Sequence, residues 1–327
     1  MALWISQKNI QQLIDMPRAI DIVEQAFKAL GTGDVSMPQR AGFGIADRGG
    51  GAAMPAYVGG EINGLAVKVV TACGNNPTAY NLPVVMATVL LLDAVSGQLL
   101  AVMDGGWLTA LRTGAVSGVA TKYLARKEAQ TLALFGAGVQ GRQQAQAICH
   151  VRSIKNILLV DPNQKNVALL QDDFRDRADI DITSVSDVQG AVNSADIIVT
   201  ATTSPKPLFS GGYLKPGTHI NGIGSHSPKA RELDAITMKR ATLIADQRSA
   251  CLAEAGDILL AIDEGTLDGE TPFAAELGEL ISGVYPGRKD PDEITCFKSV
   301  GLAIQDTAVA VQVYKSAIEH GMGQQLE

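Results

Sequence analysis

Gly136, Gly138 and Gly141 stand at the spacing of a phosphate-cradling turn, in the stretch TLALFGAGVQG at residues 131–141. An apolar run at 132–135 leads into the glycines and a helix-forming stretch at 142–149 follows, the strand–turn–helix context that gives GxGxxG its meaning. Gly136 permits the tight turn, Gly138 lets backbone approach a pyrophosphate, and Gly141 lets the helix pack against its strand. The unsatisfied N–H groups of the helix start, at Val139 and Gln140, face the phosphates. A second strand at 156–160 ends on Asp161, 20 residues past Gly141, where a carboxylate would hold the adenosine ribose. These residues form a dinucleotide site, with NAD(H) expected over NADP(H) because a 2′-phosphate would meet the Asp161 charge. Lys165 is near enough to leave some NADP(H) use open.

A second set of chemistry-bearing residues lies upstream. Arg40, Lys68 and Arg112 each sit among apolar or small neighbours, in MPQRAGF, GLAVKVVT and WLTALRTGA. Lys68 falls inside a strand pattern, so its side chain points either to solvent or into a pocket. Together the three could grip a carboxylate, guanidinium bidentately and ammonium as a point charge. Of the four histidines, His150 and His320 lie on helical stretches and His219 in a strand. His226 follows a strand at its carboxyl end, where ligands of open α/β sheets lie. Asp93, Asp104, Asp257 and Asp306 read as caps or turn formers, and no spacing pairs them as metal ligands.

The elements that must position these residues fall into two groups. Residues 1–30 read as a short strand at 3–5 and an amphipathic helix, with Ile20, Val23, Phe27 and Leu30 at helical spacing. Strands at 52–57, 64–71, 84–93 and 99–103, separated by turn residues, suggest a mainly antiparallel or mixed sheet. A helix at 110–125 leads into the glycine unit. After Asp161 the βα alternation continues, with helices at 163–174 and 188–194 and strands near 180–185, 196–201, 218–224 and 241–245. Counting the two strands that flank the glycine turn, six strands with helices between them fit a doubly wound parallel sheet. The closing stretch 299–320 is helical.

With 327 residues there is room for two cores, and 46% hydrophobic with 19% charged residues is ordinary enzyme composition. A net charge of −7 argues against nucleic acid or an anionic membrane as partner. The scattered Cys73, Cys149, Cys251 and Cys296 suggest neither zinc nor disulfides and fit a reducing cytoplasm. The N-terminus carries no signal-peptide pattern and no apolar run is long enough to span a membrane.

Over nearly its whole length the chain resembles the ornithine cyclodeaminase/mu-crystallin family. The resemblance is carried by MPQR, MPAY, GLAVKVV, NLPVVMATVLLLDAVSG, LTALRTGAVSGVAT, FGAGVQG, INGIGSHSPKARELD, AELGELISG and FKSVGLAIQDTAVA. It implies a homodimer and an α/β fold, with a Rossmann domain at 120–304 inserted in a discontinuous α+β substrate and dimerisation domain at 1–119 plus 305–327. It implies that Arg40, Lys68 and Arg112 bind a substrate carboxylate, with Met54 beside them. It further implies that Thr113, the turn at 136–140 and Thr202 hold the cofactor, and that Lys298, Ser299 and Gly301 lie near the nicotinamide.

Cyclodeaminases and the alanine dehydrogenase type carry an aspartate two residues before the proline of GSHSP, where this chain has His226. That departure favours reduction of a ready-made imine over cyclodeamination. The expected activity is NAD(P)H-dependent reduction of a cyclic imino acid, Δ1-pyrroline-2-carboxylate or Δ1-piperideine-2-carboxylate, to proline or pipecolate. The proton would come from Lys68, His226 or a water. The alternatives are an alanine-type amino-acid dehydrogenase, an ornithine cyclodeaminase, or a mu-crystallin-like binding protein without catalysis.

Overall fold

The computed structural model describes residues 2–326. The chain divides into two compact units, Met1–Thr113 with Leu302–Glu327, and Gly114–Gly301. Both boundaries lie a few residues before those read from the sequence. The first falls inside the continuous helix Gly105–Leu124, where no turn signal marks it.

The first unit is built on one mixed sheet. Its strands are β1 (Ala2–Ile5), β2 (Val35–Ser36), β3 (Ala41–Gly44), β4 (Gly50–Val58), β5 (Gly64–Ala72), β6 (Val85–Leu92) and β7 (Leu99–Asp104), with Gln324–Leu326 at one edge. From that edge the order runs β1, β7, β6, β5, β4, β2, and β3 also pairs with β4. β1 and β7 run parallel and every other pair is antiparallel. The single N-terminal helix expected from the sequence is two, Gln7–Leu13 and Met16–Gly31. The break is chemical: Asp15 caps the second helix by accepting from the Arg18 amide (3.0 Å), and Pro17 stands in its first turn, where a missing N–H is harmless.

The C-terminal helix Ala303–His320 covers one face of this sheet. At Gly64 a Cβ would collide with Val311 of that helix, so glycine permits the close approach. The Thr307 hydroxyl adds a bond to the Ala56 carbonyl (3.2 Å). A left-handed Gly321 (φ 63°) ends the helix, the usual use of a residue without Cβ.

The second unit is a parallel sheet of β8 (Thr131–Phe135), β9 (Asn156–Val160), β10 (Asp181–Ser184), β11 (Ile197–Thr200), β12 (His219–Gly222), β13 (Thr242–Ala245), β14 (Ala275–Glu276) and β15 (Thr295–Lys298). Its order is β10-β9-β8-β11-β12-β15-β13-β14. Period-two alternation divides its residues between two cores: Ala133, Phe135, Ile198 and Ile220 on one face, and Leu132, Leu134, Ile197 and Val199 on the other. This is the doubly wound parallel sheet expected. The six-strand reading missed β14 and β15, and β15 is inserted between the fifth and sixth strands that it named. The chain turns back between β8 and β11, which creates a switch point at their carboxyl ends. Among the described residues no helix is long and apolar enough to cross a membrane.

Candidate active site

Lys68 sits on β5 with Met54 of β4 and Val89 of β6 directly opposite it in register. Alternation along β5 buries Gly64, Ala66 and Lys68 on the helix-covered face, while Val69 turns outward. The lysine is 1% exposed, a costly position for an ammonium unless it is paired. Its Nζ meets Asp306 Oδ2 at 2.7 Å, and Asp306 Oδ1 accepts from Arg112 Nε at 3.0 Å. Arg112 Nη1 donates to Gln305 Oε1 (2.5 Å), so the first turn of the C-terminal helix holds both cations.

Two buried cations share one carboxylate, which leaves a positive charge for an anion to neutralise. Arg40, half-buried between β2 and β3, adds to the field at Lys68. Burial is the largest influence on the lysine, and repulsion from Arg112 and then Arg40 acts with it. Attraction to Asp306 opposes them, and the ammonium's pKa ends lowered to about 7. Arg40, Met54, Lys68 and Arg112 all belong to the first unit.

Reading Asp306 as a cap or turn former is a misassignment. Its place in the first turn of a helix is where caps occur, but its carboxylate bonds to Lys68 and Arg112. Gln305 and Thr109 also went unrecognised. The Thr109 hydroxyl is buried with no hydrogen-bond partner among the described residues, and Thr109 lies three positions before Arg112 on the same helix face. That spacing in LTALR was the available signal. Thr113 is buried one helical turn after Thr109 and donates its hydroxyl to the Thr109 carbonyl (2.7 Å).

In the second unit the glycine turn has the geometry a dinucleotide needs. Gly136 has φ 92°, and a Cβ there would lie 2.6 Å from the Ala201 carbonyl oxygen beyond β11. A Cβ on Gly141 would collide with the Gly136 carbonyl oxygen. At Gly138, by contrast, a Cβ would meet nothing within 4 Å, so this is open space beside the helix start. Gly138 is the N-cap of helix Val139–Val151 and offers no side chain to its amides. Val139 is exposed, and the Gln140 side-chain oxygen is buried with no partner among the described residues. A pyrophosphate fits such a cradle: open space at Gly138, uncapped amides and the positive end of a helix dipole.

Asp161 closes β9 and braces the turn. Its Oδ2 accepts from the Ala137 amide (2.7 Å) and its Oδ1 from the Asn163 amide (2.7 Å). The next helix is capped by Asn163, which accepts from the Lys165 amide (3.0 Å), so capping that helix is not the aspartate's task. Oδ2 also accepts from Asn166 Nδ2 (3.3 Å), so the acceptor capacity left for a ribose hydroxyl lies on Oδ1.

Thr202, Lys298, Ser299 and Gly301 gather at the carboxyl ends of β11 and β15, each engaged with a buried acid. Thr202 donates its amide and hydroxyl to Glu232 Oε1 (both 2.6 Å), and Glu232 Oε2 takes the Gly224 amide (2.8 Å). Burial raises the Glu232 pKa, although the Thr202 hydroxyl and the Lys298 charge pull against it. Lys298 is fully buried, with Nζ 2.7 Å from Asp257 Oδ2. Burial works against its charge, but Asp257, with Glu232 and Cys251 behind it, holds its pKa above the ordinary value. Asp257 also accepts the Glu232 and Leu233 amides (2.8 and 2.9 Å), so it too is no mere cap. Asp246 Oδ2 gathers the Ser299 hydroxyl and the Val300 and Gly301 amides (2.7, 2.9 and 2.9 Å). Asp93 and Asp104 do act as turn formers, accepting backbone amides two or three residues on.

The histidines separate clearly. His219 is in the core, its Nδ1 2.9 Å from the Thr295 hydroxyl, and burial lowers its pKa to about 3. His226 is exposed, its Nδ1 donating to the Gly224 carbonyl (2.9 Å). It belongs to the second unit, whereas the cation cluster belongs to the first.

The model of the ornithine cyclodeaminase/mu-crystallin family matches residues 2–321. A Δ1-pyrroline-2-carboxylate reductase of Bacillus cereus is 35% identical over 326 residues, 99% of each chain. The solved structure of Thermococcus litoralis Δ1-pyrroline-2-carboxylate reductase, in complex with NADH and L-proline, superposes with a TM-score of 0.95 at 41% identity. It covers 99% of this chain and 100% of that one. An archaeal alanine dehydrogenase dimer with bound NAD gives 0.93 at 35% identity, covering 100% and 99%. Matched from residue 2 to residue 321, the chain belongs to the ornithine cyclodeaminase/mu-crystallin family.

Proposed function

We propose that the protein is an NADH-dependent oxidoreductase that reduces the C=N bond of a cyclic imino acid, giving proline or pipecolate. The observation that carries this reading is the buried cluster of Lys68 and Arg112 on a single carboxylate, Asp306, which leaves a charge for a substrate carboxylate to neutralise. The reductases and the alanine dehydrogenase among its relatives support it. Arg112 and Arg40 bind the substrate carboxylate, and Met54 packs beside them. Lys68 is the proton donor to nitrogen, since it is the buried titrating group of that cluster. His226 is exposed and bonded to its own turn, so it is given no role in the proton transfer. The open Gly138 cradle holds the pyrophosphate and Asp161 the adenosine ribose. When bound, NADH supplies the hydride. Hydride addition to an iminium is far easier than to a neutral imine, so protonation at nitrogen is the protein's main chemical contribution.

NADH oxidation with Δ1-pyrroline-2-carboxylate, Δ1-piperideine-2-carboxylate, pyruvate plus ammonia, and ornithine plus NAD tests the reading. Turnover of a cyclic imine without ammonia is expected, with no proline from ornithine. Activity only with pyruvate plus ammonia would make the protein an amino-acid dehydrogenase instead.

The first unit also supports a homodimer. Its sheet exposes an apolar face opposite the C-terminal helix, with Val69 40%, Met86 42% and Leu90 36% exposed. Strand alternation puts them on one side, and such a face suits a second copy. Leu90→Asp should give monomers by light scattering; an unchanged mass would move the interface elsewhere. Four unpaired cysteines suit a reducing compartment, and we assign the protein to the cytoplasm.

A further inference from the structure

We propose that Asp306 is the positioning residue for proton transfer, holding Lys68 charged and aimed so that its Nζ protonates the imine nitrogen. The proposal rests on the reading of the protein as an imino-acid reductase. Lys68 cannot keep a proton in this place on its own. It is 1% exposed, and its cross-strand neighbours Met54 and Val89 offer no charge. The charged groups that act on it come from three other elements: Asp306 on the C-terminal helix, Arg112 on helix Gly105–Leu124, and Arg40 in the segment before β3. Both arginines drive the proton off and Asp306 holds it on. The opposing influences bring the lysine from 10.5 to about 7, where it can both give and regain a proton at neutral pH.

Geometry gives Asp306 a second task. Its Oδ1 is tied to Arg112 Nε (3.0 Å) while its Oδ2 holds Lys68 Nζ (2.7 Å), so the carboxylate cannot rotate without breaking one of them. The neighbouring Gln305 Oε1 accepts from Arg112 Nη1 and from the Leu302 amide (2.5 and 3.3 Å), which ties the guanidinium to the helix start. The carboxylate-binding arginine and the proton-donating lysine are therefore set by one side chain.

An Nζ–H bond breaks as the N–H bond of the iminium forms. The ring carbon then gains a hydride as NADH is oxidised to NAD, and the C=N π pair moves onto nitrogen. Lys68 regains its proton from water, and a second solvent proton makes the product an ammonium.

Asp306→Asn keeps the shape and removes the charge. The wild type should show a kcat/KM for the imine that is flat at low pH and falls as Lys68 loses its proton. In Asp306→Asn that basic limb should move acidward by roughly one pH unit or more, with NADH binding, followed by its fluorescence, within about twofold of wild type. A purely structural role would lower activity without moving the limb. If Asp306→Asn does not fold, Asp306→Glu decides: the limb stays and kcat falls about tenfold or more, because the charge remains and the aim is lost. A limb unmoved in Asp306→Asn, or an undiminished kcat in Asp306→Glu, overturns the proposal alone. A wild type inactive on both cyclic imines overturns the functional reading, and the proposal with it.

Discussion

Lys68 and Asp306 come from opposite ends of the chain, a strand of the first unit and its last helix, and their charged atoms lie 2.7 Å apart at 1% and 2% side-chain exposure. The charge on Lys68 is buried against Asp306, which Arg112 also pairs. Leaving one charge of such a pair uncompensated costs about 3–5 kcal/mol, so the C-terminal helix is as much a part of the site as the sheet.

Arg112→Ala should lower kcat/KM for the imine by roughly 30- to 1,000-fold, corresponding to about 2–4 kcal/mol for a lost charged hydrogen-bond partner. NADH affinity should be nearly unchanged, because the glycine turn belongs to the other unit. Steady-state kinetics with fluorescence titration of NADH checks both halves. An unchanged kcat/KM would remove Arg112 from substrate binding.

Asp161 should select NADH over NADPH. Its carboxylate braces the turn through Ala137 and Asn163 and would repel a 2′-phosphate. In Asp161→Ala the ratio of kcat/KM for the two cofactors should fall by about tenfold or more, and both KM values should rise as the turn loosens. A wild type that prefers NADPH, or a ratio unmoved in the variant, would contradict this role.

What was legible in the sequence was local. The glycine turn lies within one strand–turn–helix unit, and Lys68 stood out because a charge interrupts an apolar strand. β15 was missed: Ile294-Thr295-Cys296-Phe297 has no alternation to mark it, and it finds its place between β12 and β13 only when a parallel sheet forms. Asp306 and Asp257 occupy first turns of helices, where an acid is usual for dipole reasons alone. Only packing of a helix on a sheet shows that Asp306 meets two cations, and only the sheet order brings Asp257 to Lys298. The division of the N-terminal helix was legible in principle, in the Asp15-Met16-Pro17 stop and start.

His219 should make the fold acid-sensitive. Its folded pKa, about 3, is below the unfolded value of 6.5, so the unfolded chain takes up a proton first as pH falls. Stability should therefore drop between pH 6.5 and 3, by on the order of 1.4 kcal/mol per pH unit from this residue. Urea unfolding at pH 7 and pH 5 measures it. His219→Gln should be less stable at pH 7 but lose less on acidification. An equal loss in both proteins would place the acid sensitivity elsewhere.

Transfer of deuterium from [4,4-2H2]NADH, labelled at both C4 positions so that either face delivers the label, tests the central claim most directly. With Δ1-pyrroline-2-carboxylate and no ammonia, mass spectrometry and NMR should find proline carrying one deuterium at Cα, formed in step with NADH oxidation. Unlabelled proline, or labelled amino acid that appears only when a keto acid and ammonia are supplied, would contradict hydride transfer to a preformed C=N bond.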